Sequence, residues 1–393
     1  MARSRSIIIA GAGIGGLTAA LTLTRAGYRA VVLERTARLE EAGAGIQLSP
    51  NATRVLSDLG LAEKLRPLVV EPQAIRIIHG RSGRDIVRIP LGRTAEQRYG
   101  TPYWVIHRAD LQAVLAQAVE QSPDITLHLG TRVEDFAIHQ HGITVQARTE
   151  QGMRDEQGIA LIGADGLWSA LRTRLGDRRL PRFAQCTAWR AVVPIGRLTT
   201  EFREPMTGLW LGRDAHLVHY PVKSGTMVNI VAIIRDNWNE QGWNAPGIAS
   251  DLAPHFRNFA PAARALIAMP DRWQKWALFD RPPRRFRAAG PVTLIGDAAH
   301  PMLPFLAQGG AMAIEDAAVL AQYLGKDDDT AHALRAHEHA RQRRVARAQR
   351  EARRNSWRYH LSGPLGFARD TVLSALGGNR LLRRYDWLYG WRG

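Results

Sequence analysis

A glycine-rich stretch near the start of the printed sequence constrains the fold more than any other feature. Mostly apolar residues at 6–10 lead into Gly11-Ala12-Gly13-Ile14-Gly15-Gly16, an alanine- and leucine-rich stretch follows at 17–26, and a second apolar run ends at Glu34. This order indicates a strand, a tight turn, a helix and a second strand, which is the arrangement of a Rossmann-type dinucleotide-binding unit. We therefore predict an α/β fold, mixed with α+β elements, that begins with such a unit.

Each glycine of this motif has its own physical reason. Gly11 permits the tight turn, Gly13 lets the backbone approach a pyrophosphate, and Gly16 lets the helix pack closely on the strand. The helix N-terminus then faces the phosphate charge, and Glu34 can accept hydrogen bonds from the adenosine ribose. The motif predicts a bound dinucleotide, but FAD and nicotinamide cofactors share this phosphate geometry and both stay open at this point.

Two later segments have a common pattern. The run LIGADGLWSALR at 161–172 and the run VTLIGDAAHP at 292–301 each combine an apolar strand with a turn that contains Asp165 or Asp297. An acid in such a turn can meet the hydroxyl group of a ligand. Taken alone, either segment is equally well explained as a capped turn between a strand and a helix.

Taken with the glycine motif, these segments resemble the aromatic-ring hydroxylase family of single-component FAD monooxygenases, which includes p-hydroxybenzoate hydroxylase. The closest similarity is to the branch that contains salicylate hydroxylase, 3-hydroxybenzoate 6-hydroxylase and 6-hydroxynicotinate 3-monooxygenase. That similarity rests on GAGIQLSPNA at 43–52, HRADL at 107–111 and PMLPFLAQGG at 301–310. The resemblance implies non-covalent FAD, with NADH or NADPH as co-substrate and O2 as oxidant.

The resemblance also implies roles for individual residues around the flavin. Asp297 resembles the acid that binds the ribityl chain, and Asp165 resembles the motif acid that serves FAD and NAD(P)H. Arg108 resembles the arginine near the flavin phosphates, and Arg35 lies beside the ribose acid. A cation there is physically reasonable because a pyrophosphate in a partly dry cleft is stabilised by a positive charge as well as by a helix dipole. The alternative for Arg108 is a helix-capping arginine on the surface.

A helical pattern follows two glycines near residue 310. Its N-terminus, at Gly310 and Ala311, is expected to point at the isoalloxazine ring and to stabilise the anion of the reduced ring. Gln308 in the preceding loop and Gln47 in the earlier segment are predicted to contact substrate. Other pocket residues that would separate one substrate from another include Arg190 and Trp210, together with Tyr220, introduced next.

The candidate catalytic residues lie in an alternating stretch at 209–221. Residues two and four apart share one face of a strand, so His216 and Tyr220 point to one side and His219 points to the other. The spacing resembles the hydroxybenzoate-hydroxylating branch, in which a histidine and a tyrosine four residues later meet the substrate phenol. Histidine titrates near neutral pH and can remove a phenolic proton reversibly. Without the resemblance, a structural strand histidine is the more common explanation.

The resemblance implies a two-stage reaction. NAD(P)H reduces FAD, oxygen adds to form a flavin C4a-hydroperoxide, and one oxygen atom is transferred to an electron-rich ring carbon of a phenolic or hydroxypyridine carboxylate. The alternatives are an FAD-dependent epoxidase, a urate-type hydroxylase or a reductase on the same fold. A non-catalytic basic flavin-binding protein is a further alternative from another class.

The same resemblance, with the pattern of apolar residues, divides the chain into three parts. The predicted FAD domain is discontinuous, the substrate domain is a sheet inserted into it, and the C-terminal part is helical. These parts comprise 1–72, 101–180 and 288–325 for the FAD domain, 73–100 and 181–287 for the substrate domain, and 326–393 for the helical region.

The chain is strongly basic, with a formal net charge of +17 and 53 lysines and arginines. Only four of these are lysines, and the arginines are scattered, which favours a compositional bias over a binding surface for nucleic acid. The densest segment, 335–354, has eight arginines and is predicted to be a solvated helix. The alternative is contact with an anionic partner, or steering of an anionic substrate.

The remaining composition excludes several classes of site. A single cysteine, Cys186, rules out an internal disulfide and a cysteine metal cluster. His337 and His339 do not share a helix face, so no metal is expected. No run is long and apolar enough for a membrane span or a secretory signal, and we expect a cytoplasmic monomer or homodimer.

Overall fold

The computed structural model describes residues 6–39, 44–283 and 289–393. Gly43, which belongs to one segment that carries the resemblance, lies outside the described residues, as does Ala288 at a predicted domain boundary. The strands are β1 (Ser6–Ala10), β2 (Arg29–Leu33), β3 (Gly45–Leu48), β4 (Ala74–His79), β5 (Asp85–Pro90), β6 (Trp104–His107), β7 (Ile125–His128), β8 (Arg132–His139), β9 (Gly142–Thr149), β10 (Gly152–Gly158), β11 (Ala160–Gly163), β12 (Arg182–Pro194), β13 (Thr207–Leu211), β14 (Ala215–Val222), β15 (Met227–Arg235), β16 (Ala245–Gly247), β17 (Trp273–Asp280) and β18 (Val292–Leu294). The helices are α1 (Ile14–Arg25), α2 (Pro50–Asp58), α3 (Ala62–Leu65), α4 (Gly92–Tyr99), α5 (Arg108–Glu120), α6 (Ala170–Arg174), α7 (Ala249–Leu252), α8 (Pro261–Ala268), α9 (Gly296–Ala299), α10 (Gly309–Leu324), α11 (Thr330–Tyr359), α12 (Gly363–Arg383) and α13 (Asp386–Tyr389).

The first sheet is parallel and has the strand order β18-β11-β1-β2-β7. Its strands are short, apolar and buried on both faces, as parallel strands covered by helices usually are. Strand β11 pairs with β1 and β18 pairs with β11, and both pairs are parallel. The carboxyl ends of all three strands therefore lie at the same edge of the sheet. The two acid-containing turns therefore lie beside the glycine loop, and the predicted Rossmann-type unit is confirmed.

The glycine loop depends on two close backbone contacts. A Cβ atom on Gly16 would lie 1.9 Å from the carbonyl oxygen of Gly11. Gly11 itself has a φ of +110°, and a Cβ there would lie 2.5 Å from the carbonyl oxygen of Ala164. Larger residues are excluded at both positions, so α1 can pack tightly against β1 and β11.

The second large sheet is mixed and has the order β16-β17-β12-β15-β14-β13-β4-β5. Its neighbouring strands are antiparallel, except that β13 and β4 run parallel. Strands β4 and β5 lie within 73–100, and strands β12 to β17 lie within 181–287. These are the two ranges that the sequence analysis separates from the Rossmann-type unit. One face of this sheet packs on α7 and α8 through a separate apolar core.

The arginine-rich segment lies in α11, and the prediction that it is a solvated helix is wrong for one of its faces. Arg341 is only 5% exposed, and its guanidinium bonds to both Glu315 and Asp316 of α10 at 2.6 Å. Arg344 makes two further bonds to Glu315. Buried carboxylates need such partners, so part of the positive charge serves to join α11 to α10.

Candidate active site

A cavity of about 450 Å³ lies between the carboxyl edge of the parallel sheet and one face of the mixed sheet. Its size is within the usual range for small-molecule and cofactor sites. Nine of the residues predicted from the sequence line it, namely Gly13, Gln47, Arg108, Arg190, His216, Tyr220, Asp297, Gln308 and Gly310. Residues separated by up to about three hundred positions in the chain therefore meet at one site.

Gly13 is the point at which the glycine loop opens into the cavity. A Cβ atom at this position would have no protein atom within 4 Å, in contrast to Gly11 and Gly16. The free space beside Gly13 belongs to the cavity that this residue lines. A side chain here would be compatible with the fold, but it would occupy the space that a pyrophosphate needs.

Glu34 and Arg35 do not line the cavity. The Glu34 carboxylate accepts hydrogen bonds from the backbone N–H of Ala12 at 2.8 Å and of Thr36 at 2.9 Å. Glu34 therefore holds the glycine loop against β2, while the side chain of Arg35 is exposed. Their predicted contacts with the adenosine part of the cofactor remain predictions.

Asp165 also faces the protein and not the cavity. One carboxylate oxygen accepts a hydrogen bond from the Leu171 N–H at the start of α6, at 3.2 Å. Burial raises the pKa of Asp165, although bonds from Ser169 and from backbone N–H groups partly oppose this shift. The neighbouring backbone at Ala164 and Gly166 reaches the cavity wall. Asp165 thus shapes a turn whose backbone borders the site.

Asp297 and Arg108 place opposite charges on the cavity wall. Burial raises the pKa of the Asp297 carboxyl, and His300 and Arg108 act in the opposite direction. Burial lowers the pKa of Arg108, which Asp297 partly offsets. The turn that carries Asp297 is held by Asp316, which accepts a hydrogen bond from the Gly296 N–H at 2.9 Å. The wall can therefore receive hydroxyl groups and an anion close to each other.

The N-terminus of α10 reaches the cavity at Gly310. A Cβ atom on Gly310 would lie 2.8 Å from Cδ1 of Ile46, so a larger residue there would displace the end of that side chain. Ala311 follows in the first turn, but its side chain is buried in the apolar core and does not line the cavity. Only backbone groups of Ala311 remain available for the predicted contact with a flavin.

The mixed sheet forms the opposite wall, and its strand alternation is as predicted. His216, Val218 and Tyr220 of β14 line the cavity. His219 lies on the other face, with its ring centroid 5.0 Å from that of Phe202. Trp210 packs on that same outer face beside His219, so its predicted place in the pocket is wrong.

His216 is enclosed by aromatic rings and by a second histidine. Its ring lies 5.2 Å from Phe305 and 5.3 Å from Tyr359, and its Nδ1 is 2.9 Å from Nε2 of His360. Burial, followed by the proximity of His360, lowers the pKa of His216 well below its usual value. The imidazole is therefore neutral at pH 7, and Nε2 is the ring nitrogen that His360 does not engage. No local sequence signal identifies His360, which lies 144 residues away.

The two predicted substrate-binding glutamines already have protein partners. Gln47 accepts a hydrogen bond from Tyr103 at 2.7 Å and also bonds to Tyr220, whose pKa burial raises. The Gln308 amide donates to Ser49 at 2.8 Å. Both glutamines form part of the cavity wall, and their roles toward a substrate stay predictions.

Arg190 of β12 is a buried cation on the wall formed by the mixed sheet. Its guanidinium lies 4.9 Å over the ring of Trp276 and donates to Gln274 at 3.2 Å. Burial and the proximity of Arg108 lower its pKa to about 10. Within the described residues, no carboxylate forms an ion pair with it. An arginine in the otherwise apolar stretch at 186–193 is the sequence signal that identifies this position.

Two further features concern the described part of the chain. Within it, no group of three or more histidine, cysteine, aspartate or glutamate side chains is placed to hold a metal ion. None of its helices has the length and apolar character needed to cross a bilayer.

Comparisons with known proteins agree with the sequence motifs. The family model described as "FAD binding domain" matches residues 4–356. The chain is 36% identical to 3-hydroxybenzoate 6-hydroxylase 1 of Aquipseudomonas alcaligenes, over 98% of this chain and 97% of that protein. It is 38% identical to 3-amino-4-hydroxybenzoate 2-monooxygenase PtnB3 of Streptomyces platensis, over 98% of this chain and 95% of that protein.

Solved structures show the same fold. Klebsiella pneumoniae HpxO complexed with FAD and uric acid has a TM-score of 0.87 and 26% sequence identity, covering 99% of this chain and 98% of that one. A salicylate hydroxylase substrate complex has a TM-score of 0.82 at 24% identity, covering 98% and 95%. The second likeness is one of fold alone.

Proposed function

This chain belongs to the single-component FAD-dependent aromatic-ring hydroxylases, and on that basis we propose that it uses NADH or NADPH and O2 to hydroxylate a phenolic or hydroxypyridine carboxylate. The observation that carries this proposal is the single cavity that joins the glycine loop to His216, Tyr220 and Arg190. The first part suits a flavin dinucleotide, and the second suits a small ionisable ring. A reaction between the two needs both in one enclosed space.

The cavity wall fits a flavin dinucleotide in three places. The open space beside Gly13 suits the pyrophosphate, and Arg108 supplies a positive charge on the same wall. Asp297 is placed to accept hydrogen bonds from the ribityl hydroxyls. The N-terminus of α10 at Gly310 suits the ring, because a helix dipole favours negative charge there. When bound, FAD supplies the electrons taken from NAD(P)H and the activated oxygen.

His216 is the residue that we assign to the phenolic proton. Its Nδ1 is engaged by His360, so Nε2 is the nitrogen that can accept a proton from a substrate hydroxyl. Removing that proton makes the ring more electron-rich, and the ring then reacts more readily with an electrophilic oxygen. Tyr220, on the same face of β14, is placed to orient the hydroxyl group.

Arg190 is the residue that we assign to the substrate carboxylate. It is a buried guanidinium on the cavity wall, and an acidic ring substituent would supply the negative charge that the protein itself does not place beside it. The hydroxybenzoate and aminohydroxybenzoate names of two relatives agree with such a substrate class.

The loop at 304–306 lines the cavity. The carbonyl oxygen of Phe305 accepts hydrogen bonds from Asn355 and from the hydroxyl of Tyr359, both on α11 and both at 3.1 Å. A loop held in this way can keep water from the reacting atoms, which limits wasteful release of hydrogen peroxide.

The test is a panel of ring substrates with the purified FAD-loaded enzyme. We expect at least one phenolic or hydroxypyridine carboxylate to stimulate NAD(P)H oxidation, with O2 consumed and hydroxylated product formed in proportion. Urate belongs in the panel because HpxO, crystallised with uric acid, is a structural neighbour. NAD(P)H oxidation that yields reduced product without oxygen uptake would identify a reductase and contradict the proposal.

A further inference from the structure

Two buried histidines from distant parts of the chain form a hydrogen bond behind the cavity. His216 belongs to β14, whereas His360 caps the C-terminus of α11. Their Nδ1 and Nε2 atoms are 2.9 Å apart, and the rings of Phe305 and Tyr359 pack around the pair. Buried polar groups generally need a hydrogen-bond partner, and here each histidine supplies that partner for the other.

The pair is oriented from the cavity toward the surface. His216 lines the cavity and is 1% exposed, whereas His360 does not line it and keeps 7% of its surface exposed. Beyond His360 lie Asp214 and Arg235, whose side chains form a partly exposed ion pair. The hydrogen bond therefore runs from the cavity wall toward this partly exposed ion pair.

We propose that His360 is a positioning residue that fixes His216 with its proton on Nδ1, and that it carries the substrate's phenolic proton from His216 to the protein surface. The proposal rests on the proposed function in one respect, since it takes the phenolic proton as the one that moves. The arrangement of the two rings does not depend on a substrate.

The proton path can be written atom by atom. His216 donates its Nδ1–H to Nε2 of His360, which leaves Nε2 of His216 unprotonated toward the cavity. When Nε2 accepts the phenolic proton, the Nδ1 proton moves to His360 Nε2, and His360 releases its own Nδ1 proton to solvent. The reverse sequence returns a proton when the hydroxylated product is reprotonated, so both rings recover their starting forms.

The charges around His360 suit transfer of a proton and not its storage. Burial lowers the pKa of His360 to about 4, with Arg235 and Arg369 acting in the same direction and Asp214 against them. Arg369 lies on α12 and is paired with Asp370. On the side of β14, His216 is the titratable group that faces His360. With both histidines neutral near pH 7, neither retains the proton, which is what a relay requires.

The first experiment needs no substrate. Nitrogen NMR of the FAD-loaded enzyme with labelled histidine should show His216 as the Nδ1–H tautomer. His360→Phe, which keeps a ring but removes the acceptor, should give a mixture of tautomers, whereas His360→Gln should preserve the Nδ1–H form because its amide oxygen can accept the bond. A wild-type His216 in the Nε2–H form would overturn the proposal whatever the enzyme's substrate is.

The second experiment measures the relay, with 3-hydroxybenzoate as the probe. His360→Phe should lower hydroxylation by about 10²-fold near neutral pH, at the lower end of the usual range for a general base. His360→Gln keeps the position of His216 but cannot pass a proton, so its rate should fall roughly tenfold and rise again with the concentration of a small basic buffer. His339→Gln, on the exposed side of α11, is the matched control and should behave as wild type.

The two experiments separate the possible failures. Equal hydroxylation by His360→Gln and wild type, with no dependence on buffer, would overturn the relay while the phenolic substrate stands. A wild-type enzyme that binds FAD but leaves 3-hydroxybenzoate unchanged would contradict the choice of substrate, and the tautomer of His216 would still decide the positioning role. FAD content and circular dichroism establish that each variant is folded.

Discussion

The two walls of the cavity are built in different ways. The wall formed by the Rossmann-type unit is rich in glycine, at the glycine loop, at the turn before Asp297 and at the N-terminus of α10. The wall formed by the mixed sheet presents side chains, among them Arg190, His216 and Tyr220. The first wall combines glycine-rich backbone with the charged side chains of Arg108 and Asp297, and the second presents ionisable side chains on the face of a sheet.

From this difference we expect that mutations can separate binding of the cofactor from transformation of the substrate. A side chain added at Gly13 would fill space that a ligand needs, because no protein atom lies within 4 Å of its Cβ. A side chain exchanged on the sheet wall alters chemistry while the backbone frame remains.

The largest effect is expected at Gly13. Gly13→Val should give folded, colourless protein, because the new side chain meets no protein atom within 4 Å of its Cβ but fills the cavity beside the loop. The measurement is the ratio of FAD absorbance to protein, together with thermal unfolding. Gly196→Val is the matched control, since its Cβ also has open space but it lies on the surface.

A near-stoichiometric content of FAD in Gly13→Val would contradict the separate roles of the two walls, because the glycine loop would then tolerate a side chain. Gly16→Val provides the contrast on the same loop. A Cβ atom there would lie 1.9 Å from the Gly11 carbonyl oxygen, so this variant should lose the fold itself and not only the cofactor.

The next largest effect is expected at His216 on the sheet wall. His216→Asn should retain FAD but lower hydroxylation by about 10²–10⁴-fold near neutral pH, the usual contribution of a general base. Activity should recover as the pH approaches the ionisation of the free phenol, because solvent then provides the phenolate. Product formed per NAD(P)H oxidised, measured against pH, checks this, and the exposed His255→Asn is the control.

If His216→Asn hydroxylates at the wild-type rate near pH 7, His216 is a structural strand histidine and the sheet wall has another base. If it loses FAD instead, the two walls are not separable. Either result would change the assignment of roles across the cavity.

A smaller effect is expected at Asp297, the one predicted side chain of the wall formed by the Rossmann-type unit that carries negative charge. Asp297→Ala should weaken FAD binding by roughly tenfold or more, because a hydrogen bond to a charged group contributes about 1.5–3 kcal/mol. Quenching of flavin fluorescence during titration of the apoprotein measures the affinity. The exposed Asp251→Ala should bind FAD like wild type, and an unchanged affinity in Asp297→Ala would reduce this acid to part of a structural turn.

The smallest effect concerns His219, which lies on the same strand as His216 but on the opposite face. Burial, with a contribution from Arg76, lowers its pKa to about 3. The unfolded chain binds a proton below about pH 6.5 and the folded chain does not, so stability is complete above that pH and is lost as the pH falls toward 3. Well below pH 6.5, each further pH unit lowers the free energy of unfolding by about 1.4 kcal/mol.

His219→Leu should therefore lose about 1 kcal/mol less of its free energy of unfolding than wild type between pH 6.5 and 5.5. Urea unfolding at the two pH values measures this difference, and activity at neutral pH should stay close to wild type. An acid sensitivity equal to that of wild type would show that His219 is protonated in the folded protein.

Much of the wall formed by the Rossmann-type unit could be predicted from the sequence, because its determinants are local. Glycines at fixed spacing and an acid after a buried strand specify a turn wherever they occur. The alternation of β14 likewise placed His216 and Tyr220 on one face and His219 on the other. Trp210 was assigned to the wrong face because the register of its strand depends on distant partners.

The rest could not be predicted because it depends on long-range contacts. His360 meets His216 only when α11 ends above β14, and nothing near position 360 indicates this. Arg341 and Arg344 look like members of a solvated basic helix until Glu315 and Asp316 are placed beside them. For Glu34, the local pattern predicted an acid at the end of β2, but it did not indicate that the carboxylate also holds the glycine loop.

The ion pairs between α10 and α11 have a consequence for how the protein is made. The α10 helix positions Gly310 at the cavity, yet its Glu315 and Asp316 are buried charges until Arg341 and Arg344 arrive. We expect α10 to be fully stabilised only after α11, which is synthesised later, has packed on it, because buried carboxylates are costly without their cationic partners. We therefore expect firm binding of FAD to require α11 as well as the residues that line the cavity.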